Sequence, residues 1–176
     1  MSFVKYAVVL VMLTASTLAC GQTLQAVVPI ANYPQAIAVN NFTDRVYILE
    51  ESANQVTEID GVTYAATTIP LGNNQQSSLN GALAINPFTN TIYAVDGVNN
   101  HLSIINGATH AVTQVTTGNA PVAVAVNAFT NTIYVANESD STLTVVNGFT
   151  LATSTLTAGN GPVSYTHLTL PTKRIV

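Results

Sequence analysis

"VNAFTNTIYVANE" (residues 126–138) decides how this chain is read, because the chain says it three times. The other versions are "VNNFTDRVYILEE" (residues 39–51) and "INPFTNTIYAVDG" (residues 85–97). Their Phe-Thr pairs begin at Phe42, Phe88 and Phe129, 46 and then 41 residues apart. From Tyr47, Tyr93 and Tyr134 to Gly61, Gly107 and Gly148 the interval is 14 each time. The five-residue difference lies wholly in the polar insertion "NNQQSSL" (Asn73–Leu79). One invariant internal spacing in three copies marks a duplicated structural unit.

Within a unit the apolar period is two. In "PVAVAVN", Val122, Val124 and Val126 share a face opposite Ala123 and Ala125. Ile133 and Val135 alternate with Tyr134 and Ala136, and Leu143 and Val145 with Thr144 and Val146. These are short β-branched strands cut by Asn, Gly and Pro. Asp60-Gly61, Asn106-Gly107 and Asn147-Gly148 suit tight turns that need positive φ. Four strands (A to D) in about 41–46 residues make one blade of a β-propeller. The blades are expected at about 34–72, 80–118 and 121–159. The fold class is therefore all-β: a propeller fragment of three four-stranded antiparallel blades. Leu24–Val39 aligns without gaps with Ala111–Val126, so it starts with an outer strand lacking its own inner three. Such a strand closes a ring by completing the last blade, which removes a free sheet edge.

The units resemble YVTN-family β-propeller repeats. Tyr134-Val135-Ala136-Asn137 is nearest to the signature, and Asn106-Gly107-Ala108-Thr109 matches the turn after strand C. The resemblance runs from Leu24 to Val163, with Tyr47-Ile48-Leu49-Glu50 and Asn80-Gly81 as departures. It implies a secreted or surface-bound ring of seven blades, with relatives among extracellular surface proteins and lactonase or quinoprotein-type domains. Seven blades need about 300 residues. Gly159–Val163 opens a fourth unit, but Leu170 stands where its Phe is due. Ser164–Val176 resembles translated adapter sequence, so residues 164–176 are expected to be foreign to the protein. Stopping after three blades leaves a sheet edge and an apolar blade face open, so self-association is expected.

Residues 1–21 read as a secretory signal: Lys5, an apolar run from Tyr6 to Leu13, then small residues. The apolar stretch is too short for the roughly 20 residues of a spanning helix. Cleavage after Gly21 and lipidation of Cys20 in a lipobox-like Thr17-Leu18-Ala19-Cys20 are both open. The product is expected in the periplasm, at the cell surface or outside the cell. Of four basic residues only Arg45 lies between the leader and residue 164, whereas all eight acidic residues do. Phosphate backbones need cations, so nucleic acid is excluded as a partner. The expected partner is an extracellular protein, a glycan or a small ligand, with no membrane insertion apart from an anchor on Cys20.

In an up-and-down meander the A–B and C–D turns share one rim, and the B–C and D–A connections share the other. The first set is nearly identical between units and the second varies, which points to the second rim for binding. Glu50, Asp96 and Asn137 hold one equivalent place there, with Glu138 beside them. A ring of such oxygens could hold a hard cation such as Ca²⁺, the alternative being solvated strand ends, and no metal is assigned. His101 and His110 have no zinc spacing and read as surface residues, no nucleophile motif occurs, and Gly118-Asn119-Ala120-Pro121 is a connector. The repeated Tyr and Phe side chains are expected to pack between blades. No catalytic residue and no cofactor is assigned. A non-catalytic binding or scaffolding module is the favoured reading, and a lactonase-like hydrolase the alternative.

Overall fold

The computed structural model describes residues 26–31, 33–50, 53–72 and 81–158. The leader, Cys20, the insertion at Asn73–Leu79, the start of a fourth unit at Gly159–Val163 and the tail all lie outside the described residues.

Twelve strands are described, in three sheets. Blade 1 is β1 (Pro34–Asn40), β2 (Arg45–Glu50), β3 (Gln55–Asp60) and β4 (Ala66–Pro70). Blade 2 is β5 (Leu83–Asn86), β6 (Thr91–Asp96), β7 (His101–Asn106) and β8 (Val112–Thr116). Blade 3 is β9 (Pro121–Asn127), β10 (Thr132–Asn137), β11 (Thr142–Asn147) and β12 (Thr153–Thr157). Every neighbour in each sheet is sequential and antiparallel, so each blade is a plain meander. The first strands of successive blades touch one another, which sets β1, β5 and β9 innermost. The chain is a β-propeller fragment.

The hairpins keep a strict metre. Residues with left-handed φ fall at Asp44, Asn54 and Tyr64, at Asn90, Asn100 and His110, and at Asn131, Ser141 and Leu151. Each closes a turn ten residues after the last. The Asn-Gly and Asp-Gly pairs work differently from their expected role as positive-φ turns. Gly61, Gly107 and Gly148 are absent from the positive-φ residues, and the left-handed residue comes three places later. Space is what makes them glycine. A Cβ on Gly107 would sit 2.6 Å from Asn90 Oδ1, and one on Gly148 2.5 Å from Asn131 Nδ2. The residue before each glycine caps the turn: Asn106 Oδ1 accepts from the Ala108 and Thr109 amides at 2.9 and 3.0 Å.

The second strand of each blade is buried on both faces wherever a neighbour covers it. On β2, Tyr47 and Leu49 face blade 2, where they join Val56, Ile69 and Leu71 against Ile92, Ala94 and Ile105. On β6, Tyr93 and Val95 with Leu102 meet Ile133, Val135 and Val146 of blade 3. The core is thus a row of interfaces between sheets. Tyr47 and Tyr93 are 0% and 1% exposed, while Tyr134, with no described blade behind it, is half-buried.

The segment before β1 takes up the place of an outer strand. Val28 is buried against Val46, Ile48 and Ile59 on the free face of blade 1, with Ile30 and Tyr64 beside it. By the repeat, Val28 stands where Ile69 and Val115 stand on the faces of blades 1 and 2. It forms no ladder, because no described third strand lies there for it to pair with.

Ile69 and Leu156 occupy one position of the repeat, yet Ile69 is 1% exposed and Leu156 54%. Ile69→Ala is therefore expected to cost about 2–5 kcal/mol by urea titration, and Leu156→Ala less than about 1 kcal/mol. Equal costs would mean that the interblade face does not carry the burial.

Candidate functional site

The expected binding residues lie on the B–C and D–A rim at the ends of β2, β6 and β10. Glu50 is fully buried, and its Oε2 accepts from Gln55 Nε2 at 2.6 Å and from the Ala31 amide at 3.2 Å. Asn137 is likewise fully buried and donates from Nδ2 to Thr142 and Thr144 Oγ1, both at 2.9 Å. Asp96, 6% exposed, accepts from the Val98 and Asn99 amides at 3.0 Å and from Asn99 Nδ2 at 2.7 Å. Glu138 is exposed.

Three of the four are thus anchored inside their own blades. Glu50 and Asn137 also meet the segment that arrives from the preceding blade. Ala31 is the repeat equivalent of Gly118, and a Cβ on Gly118 would lie 2.7 Å from Asn137 Nδ2. Both positions keep one buried oxygen without a hydrogen-bond partner, Glu50 Oε1 and Asn137 Oδ1. Among the described residues, no three His, Cys, Asp or Glu side chains converge as a metal site requires.

One exposed part of this rim is the loop Glu138-Ser139-Asp140, and it is clamped to the 118–120 crossing. The Glu138 amide donates to Ala120 O at 2.9 Å, while Asp140 accepts from the Asn119 amide and from Asn119 Nδ2, both at 2.6 Å. On the other side Asn100 Oδ1 accepts from the Ala120 amide at 2.8 Å, and Asn100 Nδ2 donates to Asn119 Oδ1 at 3.1 Å. The crossing is thereby tied to the B–C turns of both blades it joins. The variable loops that marked this rim are also the fasteners that hold it.

The opposite rim carries two features, of which the sequence disclosed only that the phenylalanines meet between blades. The first is a row of interblade rungs. Asn40 Nδ2 of blade 1 donates to Asn90 Oδ1 of blade 2 at 2.8 Å, and Asn86 Nδ2 of blade 2 donates to Asn131 Oδ1 of blade 3 at 2.8 Å. Asn131 Oδ1 also accepts from Tyr93 Oη at 3.1 Å. The second is an aromatic row. Phe42, Phe88 and Phe129 stack across the blades with ring centroids 5.4 and 5.3 Å apart. They meet between blades but stay on the surface, 66%, 55% and 89% exposed, because the turns lift them clear of the sheets. Phe149 and Val62 add exposed apolar surface on the neighbouring turns.

One polar cluster crosses the first blade joint. Glu58, nearly buried, lies 3.0 Å from His110 Nε2 of blade 2 and 3.7 Å from Arg45 Nη1, which also pairs with Asp60 at 2.5 Å. His110 therefore bridges blades, where a plain surface residue was expected. Hydrogen bonds from the Thr63 and Val62 amides, with Arg45 adding to them, hold the Asp60 carboxyl below its usual range. Burial, reinforced by the Glu58 carboxylate, holds the Tyr47 hydroxyl well above its ordinary value, and burial raises that of Tyr93.

No family model and no curated protein matches this chain. Solved structures do resemble it. Kuenenia stuttgartiensis hydrazine synthase superposes with a TM-score of 0.65 at 16% identity, covering 81% of this chain and 41% of that one. A Bacteroides uniformis ATCC 8492 protein described as a "putative 6-phosphogluconolactonase" gives 0.64 at 16% identity, over 81% and 46%. A functionally unknown protein from Desulfotomaculum acetoxidans DSM 771 gives 0.58 at 21% identity, over 74% and 43%. At these identities the likeness is one of fold, and the chain spans less than half the length of each.

Tyr47 Oη has no hydrogen-bond partner, whereas Tyr93 Oη donates to Asn131. Tyr93→Phe is therefore expected to cost about 1 kcal/mol at neutral pH, and Tyr47→Phe close to nothing. Both phenols are held above their ordinary value in the folded chain, so the unfolded chain deprotonates first. Stability is then full below about pH 10 and falls as pH rises beyond it. Thermal melts between pH 8 and 11 check both points, and Tyr47→Phe should reduce the alkaline loss.

Proposed function

We propose that this chain belongs to an exported, non-catalytic propeller that binds an extracellular protein, glycan or small ligand on its B–C and D–A rim. The observation that carries the reading is the loop Glu138-Ser139-Asp140. It is exposed, polar and clamped on both flanks to the crossing at 118–120. Polar groups held on a rigid mount lose little entropy when a ligand meets them, which is what a binding surface requires. Glu138 is the contact residue of this reading. Glu50, Asp96 and Asn137 support it from below by fixing strand ends and turns. Export rests on the leader-like residues 1–21, and the resemblance to YVTN repeats points the same way.

A lactonase is the second reading, suggested by the name that the Bacteroides uniformis neighbour carries. It needs acid, base and metal groups that converge on one rim.

Two measurements separate the readings. The purified chain is expected to leave 6-phosphogluconolactone at its spontaneous hydrolysis rate, and turnover above that rate would favour the lactonase. On arrays of glycans and of surface-protein peptides, retention is expected on one class and to fall at least fivefold in Glu138→Ala. Retention on neither, or retention indifferent to Glu138, would overturn the binding reading. Export is checked by fractionating expressing cells, with the mature chain expected outside the cytoplasm.

A further inference from the structure

The file of phenylalanine rings on the A–B rim is held in place with more care than the fold itself needs. In each blade the asparagine ending the first strand caps the turn, its Oδ1 accepting from the Phe42, Phe88 or Phe129 amide at 3.0, 3.1 and 3.1 Å. In blades 1 and 2 the same asparagine donates from Nδ2 to the turn of the next blade, Asn40 to Asn90 and Asn86 to Asn131. One side chain thus shapes the turn that lifts a ring and fastens it to the turn that lifts the next. The rings are aligned, yet most of their surface stays in water, against the usual preference of apolar groups. Phe88 has a ring on each side and is still 55% exposed, so its exposure belongs to the turn. Contiguous aromatic surface on a rigid mount marks a place of binding.

The spacing narrows what can lie along the row. The ring centroids are 5.4 and 5.3 Å apart. An extended peptide presents side chains on one side about every 6.7 Å, and a polyproline II helix about every 9 Å. Both fall out of step within three rings. An α-helix repeats at about 5.4 Å, but its apolar stripe covers roughly a third of a cylinder about 10 Å wide. That stripe needs apolar ground on both sides of the rings. Here an exposed threonine follows each ring, Thr43, Thr89 and Thr130, and the parallel track on the C–D turns is interrupted by Ala108 between Val62 and Phe149. A linear, equatorially linked glycan advances by one pyranose unit at a time, a step close to the separation of the rings.

The chemistry agrees with that step. A pyranose offers axial C–H groups on its faces, which suit an aromatic ring, and hydroxyls around its edge, which need polar partners. Thr89 and Thr130 donate to Thr91 and Thr132 Oγ1 at 3.0 Å, so their own oxygens are oriented and keep lone pairs for a ligand. The turns Pro87-Phe88-Thr89-Asn90 and Ala128-Phe129-Thr130-Asn131 hold no charged residue. Blade 1 has Asp44 at the corresponding place, partly buried, and Asp60 beside it is paired with Arg45. Nothing in the middle of the row offers a counter-ion, so an uncharged ligand suits it. The rings are inclined to one another by 63° and 43°, so no single plane spans them. A flat fused ligand cannot cover such a row, whereas a glycan turns at every linkage.

We propose that Phe42, Phe88 and Phe129 form a binding track for a linear neutral glycan, one sugar unit to a ring, with the threonine hydroxyls at its edge. The track lies on the rim opposite Glu138 and is independent of the loop there.

Isothermal titration of the purified full chain with cellohexaose, chitohexaose and mannohexaose tests this. At least one is expected to bind, with an affinity that holds from low to high salt because no ion pair is involved. Its disaccharide is expected to bind at least about tenfold more weakly, since it spans too few rings. Phe88→Ser is expected to weaken the hexasaccharide about tenfold, the loss of one stacking contact. Phe88→Tyr keeps the ring and is expected to change affinity by less than about twofold, and Glu138→Ala to leave it unchanged. Circular dichroism checks that each variant keeps its β content, and Phe129→Ser, at the most exposed ring, carries the same expectation if Phe88→Ser does not fold. No binding of any of the three sugars, equal affinity for short and long forms, or indifference to Phe88→Ser overturns the track. Loss of binding in Glu138→Ala with Phe88→Ser unaffected also overturns it, by placing the glycan on the other rim. A leucine-striped helical peptide that binds through Phe88 in place of the sugars does the same.

Discussion

A four-stranded sheet with strands of four to seven residues cannot shelter either of its own faces, and the rest of this molecule depends on how the next sheet shelters them. Helices are absent from the described residues, and no other layer covers the blades. Tyr47 and Leu49 on one side of β2 and Val46 and Ile48 on the other are all buried, by two different neighbours. Stability of this kind is close to a sum of blade terms and joint terms, with each blade sensing only the blades beside it. The front blade borrows its cover from Val28, and no described residue covers the last one, which is why the same repeat position is closed at Ile69 and open at Leu156.

The rungs show how a joint is made specific as well as dry. Asn131 does four things at once. It ends its turn with a left-handed φ, fits over Gly148, and takes hydrogen bonds from both Asn86 and Tyr93 across the blade boundary. Apolar faces alone permit sliding. A buried amide that needs its partner fixes the register, since a slip would strand the donor without an acceptor.

Much of the fold was legible because the strand period and the repeat spacing are local or exactly duplicated signals. The triplicated "FT…TIY" stretch and the alternation in "PVAVAVN" pointed to what is found, whereas the segment before β1 forms no strand and keeps only the apolar contact of Val28. What escaped were facts about pairs distant in sequence. The Asn40 to Asn90 rung spans 50 residues, and the motif shows two turn-forming residues with nothing to say that they meet. The glycines after Asp60, Asn106 and Asn147 were identified for a backbone reason, yet the side chain of Asp44, Asn90 or Asn131 above each is the cause. At the candidate site the sequence placed Glu50, Asp96 and Asn137 in one equivalent position, as they are. It could not show that a carboxylate at a strand end is buried, because burial there is set by a crossing segment such as Ala31 or Gly118. The phenylalanines do meet between blades, as their equivalent places implied, but the sequence did not show that the four-residue turns keep the rings at the surface.

The ten-residue metre of the hairpins has a bearing on how such a chain can change in length. Adding one residue to a strand would turn every following side chain to the wrong face, and adding one to a turn would displace the left-handed residue that closes it. No hairpin can absorb an insertion without loss. The crossing from one blade to the next is free of that constraint, since no ladder spans it, and the one stretch where these units differ in length, Asn73–Leu79, falls between β4 and β5. Drift in length is thus funnelled to the crossings on a single rim. That makes the same rim the place where new sequence can be gained, or a foreign peptide spliced in, with the blades left in register.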